Sequence, residues 1–183
     1  MYKSGYIAII GRPNAGKSTL INRIIEEKVS IVSWRPQTTR NKILGISSGE
    51  DYQAIFIDTP GIHPSKNKLS DMMTRSINSS VSEVDAVLYM IDGTANMSDI
   101  DIDYLNNYSL KAPLIVALNK VDEANLSKYA ATLNKLNAFS KVRSFYAISA
   151  KTGENVDKLK DELISLLPEG EKLYPEDIYT DRP

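Results

Sequence analysis

The chain has 183 residues, 42% hydrophobic and 25% charged, with 22 Lys+Arg against 23 Asp+Glu. That length and balance suit one globular domain with a proper core, and exclude wholesale disorder and a protein that works mainly by neutralising polyanions. With no cysteine, disulfide scaffolds, thiolate metal sites and cysteine nucleophiles are excluded as well, a composition suited to a reducing compartment.

The first five residues carry no apolar signal-peptide core, and Tyr2 stands where myristoylation would need glycine, so the start reads as mature and cytosolic. No apolar run reaches the ~18–20 residues that span a bilayer. Strands are expected at 6–10, 42–46, 53–57, 86–91, 114–118 and 144–148, most of them short, nearly continuous apolar runs, as strands covered on both faces should be. The second and third flank Ser47-Ser48-Gly49-Glu50-Asp51, which predicts an antiparallel hairpin. Helical stripes lie between the strands: Met73, Ile77, Val81 and Val84, then Leu126, Tyr129, Leu133 and Leu136, then Val156, Leu159, Leu163 and Leu166. Each is expected to face the core. Pro168 and Gly170 stop the last helix, and the polar, aperiodic 169–183 reads as a linker or tail after a domain at 1–168.

Gly11-Arg12-Pro13-Asn14-Ala15-Gly16-Lys17-Ser18 is a complete G-x-x-x-x-G-K-S between the first strand and a helix, followed by Thr19. Gly11 and Gly16 let backbone N–H groups turn inward around phosphate oxygens, and the helix start adds its positive end. Lys17 brings a point charge to the β- and γ-phosphates. The Ser18 hydroxyl can ligate Mg²⁺.

A phosphate loop does not choose between purines, but Asn119-Lys120-Val121-Asp122 does. The Asp122 carboxylate can accept from guanine N1–H and the 2-amino group, whereas adenine would leave it unpaired. The Lys120 stem can cover the base, and Asn119 can tie this loop to the phosphate loop. Ser149-Ala150-Lys151 follows the next expected strand, where the Ala150 N–H can donate to guanine O6.

Asp58-Thr59-Pro60-Gly61 follows the third strand. Asp58 can hold Mg²⁺ through water, and the Gly61 N–H can bond the γ-phosphate. Pro36-Gln37-Thr38-Thr39-Arg40 precedes the hairpin, and Thr39 is the threonine expected to reach Mg²⁺ when a γ-phosphate is present. Ras-like enzymes orient water with a glutamine after this glycine; here the residue is Ile62, so intrinsic hydrolysis should be slow or assisted. His63, the only histidine, adjoins the segment and reads first as an exposed loop residue, second as catalytic. Trp34 and Arg35 read as an exposed loop pair or as a partner-binding face. No side chain stands out as a general base.

Together these motifs resemble the TRAFAC GTPases, and within them the Era family of bacterial ribosome-associated GTPases. The features that carry the likeness are G-R-P-N-A-G-K-S, the P-Q-T-T-R segment, D-T-P-G-I-H-P and the terminal Pro175-Glu176-Asp177-Ile178-Tyr179-Thr180-Asp181-Arg182. Sister families, the tRNA-modification and double-domain ribosome GTPases, share the phosphate loop and T-T-R but lack that terminal stretch. The resemblance implies GTP hydrolysis coupled to small-subunit maturation, 16S rRNA binding and peripheral contact with the inner membrane face from the bacterial cytoplasm. It also implies a C-terminal KH domain beyond the point where this chain stops, so the chain resembles an isolated, monomeric GTPase domain. Relatives with Asn at the place of Asn14 and an apolar residue at that of Ile62 can use K⁺ beside the phosphates, which implies the same option here. The expected fold is a Ras-like three-layer α/β sandwich, with a six-stranded, mainly parallel sheet and about five helices. A slow-turnover GTP-dependent RNA or ribosome clamp is the first alternative. A P-loop kinase is the second, disfavoured by N-K-x-D together with D-x-x-G.

Overall fold

The computed structural model describes residues 1–25, 42–58 and 84–175. Within them the elements run β1 (Lys3–Gly11), α1 (Lys17–Ile25), β2 (Lys42–Ser48), β3 (Tyr52–Asp58), β4 (Ala86–Asp92), α2 (Asp99–Asn106), β5 (Leu114–Asn119), α3 (Leu126–Leu136), β6 (Val142–Ala147) and α4 (Val156–Ser165). The stripe through Met73, Ile77 and Val81, which predicted a fifth helix, lies outside the described residues.

The strands form one six-stranded sheet in the order β2-β3-β1-β4-β5-β6. β1 pairs in parallel with β3 and β4, β4 with β5, and β5 with β6; only β2 and β3 pair antiparallel. The expected hairpin forms, but Ser47 and Ser48 belong to its strand, which leaves a three-residue turn at 49–51. Ser47 is buried there, so the polar cluster was broader than the turn it signalled.

Alternation along β1 builds the three layers. Ile7 and Ile9 face α1 and α4, packing with Leu20, Ile21, Ile24, Val156, Leu159 and Leu163. Ala8 and Ile10 face the other way, toward Tyr104, Leu105, Tyr129 and Leu136 of α2 and α3. Burying each large aliphatic side chain contributes about 1.5–3 kcal/mol, so the two faces together hold the sandwich closed. One expectation fails here. Leu126 is 81% exposed, and Thr132 takes a buried place on α3 between Tyr129 and Leu136. Leu126 opens the helix directly after its N-cap Asn125, before the helix axis has brought that face down onto the sheet.

β3 and β4, consecutive in the chain, lie on either side of β1 in the sheet, so the carboxyl ends of β1 and its neighbours border a topological switch point, where ligands bind in open α/β sheets. The opposite end of the sheet is tied by the segment after α4. Gln53, fully buried, accepts from Leu173 N (2.7 Å) and Tyr174 N (3.0 Å) and donates to Tyr174 O (2.8 Å). Ser4 donates to Glu171 O at 2.6 Å, and Gly170 N to Tyr2 O at 3.0 Å. Residues 169–174 are therefore strapped across the amino ends of β1 and β3. Gln53→Ala would strand three backbone groups at once. It is expected to destabilise the chain by about 2–4 kcal/mol, read as a lower urea midpoint; an unchanged midpoint would show that the strap contributes nothing.

Candidate nucleotide-binding site

The phosphate loop emerges from β1 where the sheet leaves it little room. A Cβ on Gly11 would lie 2.7 Å from Met90 O, so glycine is what lets β1 approach β4 at that point. The loop then turns through two left-handed residues, Asn14 (φ 67°) and Gly16 (φ 98°), with Ala15 N donating to Arg12 O. At Gly16 both the positive φ and the space demand glycine, since a Cβ would stand 2.2 Å from Asn119 Nδ2. A non-glycine residue held at φ 67° stores strain of a kind found at ligand clamps. Lys17 opens α1 with its ammonium on Gly11 O at 3.1 Å, beside the loop's backbone. Pro13, Asn14, Ser18 and Thr19 are exposed at the rim, while Ala15 is buried beneath.

Asn119, at the end of β5 and 2% exposed, connects two loops. Its Nδ2 donates to Ala15 O at 2.9 Å, across 104 residues, and its Oδ1 accepts from Ala150 N at 2.9 Å. The expected tie between the 119–122 loop and the 11–18 loop is therefore present. The Ala150 N–H, expected to donate to guanine O6, donates to Asn119 Oδ1 in this structure.

Lys120 takes a left-handed turn (φ 68°), which lets the chain reverse directly after β5. Two residues on, Asp122 is exposed, and its Oδ1 accepts from Ser149 Oγ at 2.7 Å. Ser149, fully buried, also accepts from Thr152 N at 3.0 Å. Its hydroxyl proton is thereby aimed at Asp122, and the carboxylate is held at the edge of the 149–151 loop. Lys151 points to solvent and forms an exposed pair with Glu123 at 3.8 Å, a geometry that contributes little.

Asp58, the last residue of β3, stands beside Ile9 of β1 in the parallel register. Hydroxyl and carboxylate oxygens such as those of Ser18 and Asp58 suit a hard cation that keeps most of its other ligands from water and phosphate. Among the described residues no group of three His, Cys, Asp or Glu side chains could hold a metal by itself. Thr39, Thr59, Pro60, Gly61, Ile62, His63, Trp34 and Arg35 lie outside the described residues.

Three contributors carry no motif of their own. Asp92, the last residue of β4, accepts from Lys120 Nζ at 2.9 Å and from Thr94 N and Oγ1 at 2.9 and 2.6 Å. Partial burial works to raise its pKa, but the hydrogen bonds from Thr94 and Lys120 outweigh that and hold it below the usual carboxylate range. An acid at the carboxyl end of a parallel strand was the available signal, lost by ending that strand one residue early. Gly93 lets the turn close: its N–H donates to Asn119 O at 2.8 Å, and a Cβ there would fall 2.6 Å from the same oxygen. Arg23, on α1, donates from Nε to Ala150 O at 2.7 Å and from its guanidinium to Lys151 O. It fastens the third loop to the helix that starts at the first, a relation with no periodic trace in the sequence.

The arrangement brings Gly11–Ser18, Asn119–Asp122 and Ser149–Lys151 into one hydrogen-bonded rim, with the loop before α1 on one side and a carboxylate on the other. It can hold a phosphorylated molecule whose far end carries paired N–H donors.

A family model described as 50S ribosome-binding GTPase matches residues 6–120. GTPase Era of Clostridium perfringens is 48% identical over 184 residues, covering 99% of this chain and 62% of that protein. Among solved structures, a variant of Era from Aquifex aeolicus bound to GDP·AlF4⁻ superposes with a TM-score of 0.76 at 37% identity, covering 99% of this chain and 62% of that one. Era in complex with MgGDPNP and nucleotides 1506–1542 of 16S ribosomal RNA gives 0.77 at 38% identity, covering 100% and 63%. The chain thus spans about three fifths of the length of these relatives.

Proposed function

The chain belongs to the 50S ribosome-binding GTPase family, and from that premise we propose that it is a guanine-nucleotide switch that binds GTP and GDP and hydrolyses GTP to GDP and phosphate. The observation that carries this reading is Asn119, one buried side chain bonded to Ala15 of the phosphate loop and Ala150 of the third loop. A rim tied that way suits a ligand touching all three loops at once.

In this reading the 11–18 loop turns backbone N–H groups toward the phosphates, apart from Pro13, which has none, and Ala15, whose N–H donates to Arg12 O; Lys17 lies against the phosphates as a fixed charge, and Ser149 keeps Asp122 turned toward the guanine edge. Water attacks the terminal phosphorus while the 11–18 loop and Lys17 stabilise the charge spreading onto its oxygens. Ser18 and Thr39 would hold Mg²⁺ directly and Asp58 through a water, and the ion when bound supplies further positive charge to the phosphates. Thr59, Pro60 and Gly61 complete the γ-phosphate side. Titration of the purified chain with fluorescent GDP and ADP analogues tests the assignment: tight GDP and negligible ADP binding are expected, and equal affinities would sink it.

Ile62 in place of a water-orienting glutamine favours slow intrinsic turnover, so a GTP-dependent clamp is kept as the second reading. Single-turnover hydrolysis with and without small ribosomal subunits separates the two; turnover negligible in both favours the clamp. The structure of Era with 16S ribosomal RNA supports small-subunit maturation and 16S rRNA as setting and partner for the longer protein. A KH domain would follow a GTPase domain at 1–168 and a connector at 169–183. A bacterial cytoplasmic location with peripheral membrane contact belongs to the same proposal. No helix among the described residues is long and apolar enough to cross a membrane, and release of the protein from membranes by a high-salt wash is the expected fractionation result.

Asn14, exposed at the crest of the loop, offers a side-chain oxygen for K⁺ beside the phosphates. GTP turnover is expected to be several-fold faster in KCl than in NaCl at equal ionic strength; equal rates would remove K⁺ from the mechanism.

A further inference from the structure

The ion pair between Arg12 and Asp101 has no part in the scheme above. Asp101 lies in the first turn of α2 and is 1% exposed. Its Oδ1 accepts from Tyr89 OH at 2.7 Å; its Oδ2 accepts from Ser98 N and Oγ at 3.1 and 3.0 Å. The cation paired with it is Arg12, the second residue of the phosphate loop, 3.5 Å from Oδ2 and 28% exposed. Tyr89 sits on β4 opposite Ile10, is fully buried, and stacks on Tyr104 with ring centroids 4.7 Å apart. Burial and the neighbouring Asp101 charge push its pKa up, so it remains a donor.

A capping box needs only Ser98 and a carboxylate at the surface. Sinking that carboxylate into the core incurs a desolvation penalty that an ion pair offsets only with good geometry and satisfied lone pairs. Here each oxygen is hydrogen-bonded and the cation comes from the loop. The loop's other holds lie elsewhere: Gly11 is wedged against Met90, Ala15 is tied to Asn119, and Lys17 begins α1. Arg12 is the point where the stretch between Gly11 and Ala15 is fastened.

We infer that Asp101 is a positioning residue of the nucleotide site, holding the phosphate loop in its binding shape by anchoring Arg12 to the first turn of α2. This rests on reading residues 11–18 as the phosphate loop. The test is the dissociation rate of fluorescent GDP from the full chain and from Asp101→Asn, Arg12→Gln, Arg12→Lys and the double Asp101→Asn/Arg12→Gln variant, with nucleotide-free melting temperatures alongside. Each neutralising variant should release GDP about tenfold faster, the double variant no faster than either single one, and Arg12→Lys should recover most of the loss. A structural role alone would lower the melting temperatures and leave release unchanged. Should Asp101→Asn fail to fold, the two Arg12 variants, at a partly exposed position, decide the matter. Parent-like release from folded Arg12→Gln, or independent effects in the double variant, would overturn the inference. Absence of GDP binding by the parent would overturn the nucleotide reading with it.

Discussion

Asp122→Asn should exchange the purine preference of the site. In the proposed complex the carboxylate accepts two charge-assisted hydrogen bonds, each contributing about 1.5–3 kcal/mol. An amide can still accept from N1–H, but it presents N–H to the 2-amino group, donor against donor. GDP affinity should fall by about 10²–10⁴-fold. Xanthine carries a carbonyl at that position, which the amide can donate to, so xanthosine diphosphate should gain. Ser149 Oγ, 2.7 Å from Asp122 Oδ1, can donate to the amide oxygen as it does to the carboxylate, so the loop geometry should survive. Competition of both diphosphates against fluorescent GDP reads the exchange directly. Unchanged guanine preference would mean that a different group recognises the base.

The second large effect is expected at Asn119. Truncation to alanine removes both bonds of a side chain that is 2% exposed and leaves Ala15 O and Ala150 N without it. A buried backbone group left unpaired costs about 1–3 kcal/mol, so two of them amount to about 2–6 kcal/mol. Because both groups lie in ligand-facing loops, part of that cost should appear as a GDP affinity at least about 100-fold weaker. Asn119→Asp keeps an acceptor for Ala150 N but sets a carboxylate oxygen against Ala15 O, acceptor against acceptor at a buried position, so it should do no better than alanine. The check is calorimetric titration with GDP beside a urea unfolding curve. A large stability loss with unchanged GDP affinity would reduce Asn119 to a core hydrogen-bonding residue.

The strap at residues 169–174 and the anchor at Arg12 occupy opposite ends of β1, Lys3 to Gly11, the strand that carries the phosphate loop. Both are built on polar side chains, Gln53 and Asp101, that are almost wholly buried and fully engaged. Buried polar groups persist where their partners are in place, and here the partners are parts of the chain whose position the fold must set: the exit segment and the loop.

What the residues alone determined was local in origin. Gly11–Ser18 announces a phosphate loop because the bend, the helix start and the lysine must be contiguous to work. The strand cores at 6–10, 86–91 and 114–118 show as apolar runs because helices cover both faces of the sheet there. The antiparallel pair announces itself through the short turn between its strands. Tertiary structure decided the rest: that α1 and α4 share one face and α2 and α3 the other, that Leu126 faces solvent while Thr132 is buried, and that Ala150 N–H serves Asn119. It also brought Asn119 to Ala15, Gln53 to Tyr174, Arg23 to Ala150 and Arg12 to Asp101. The physical reason is distance along the chain. A contact between residues a hundred positions apart imposes no spacing on its neighbours, so only the folded sheet, by placing strand ends side by side, reveals it.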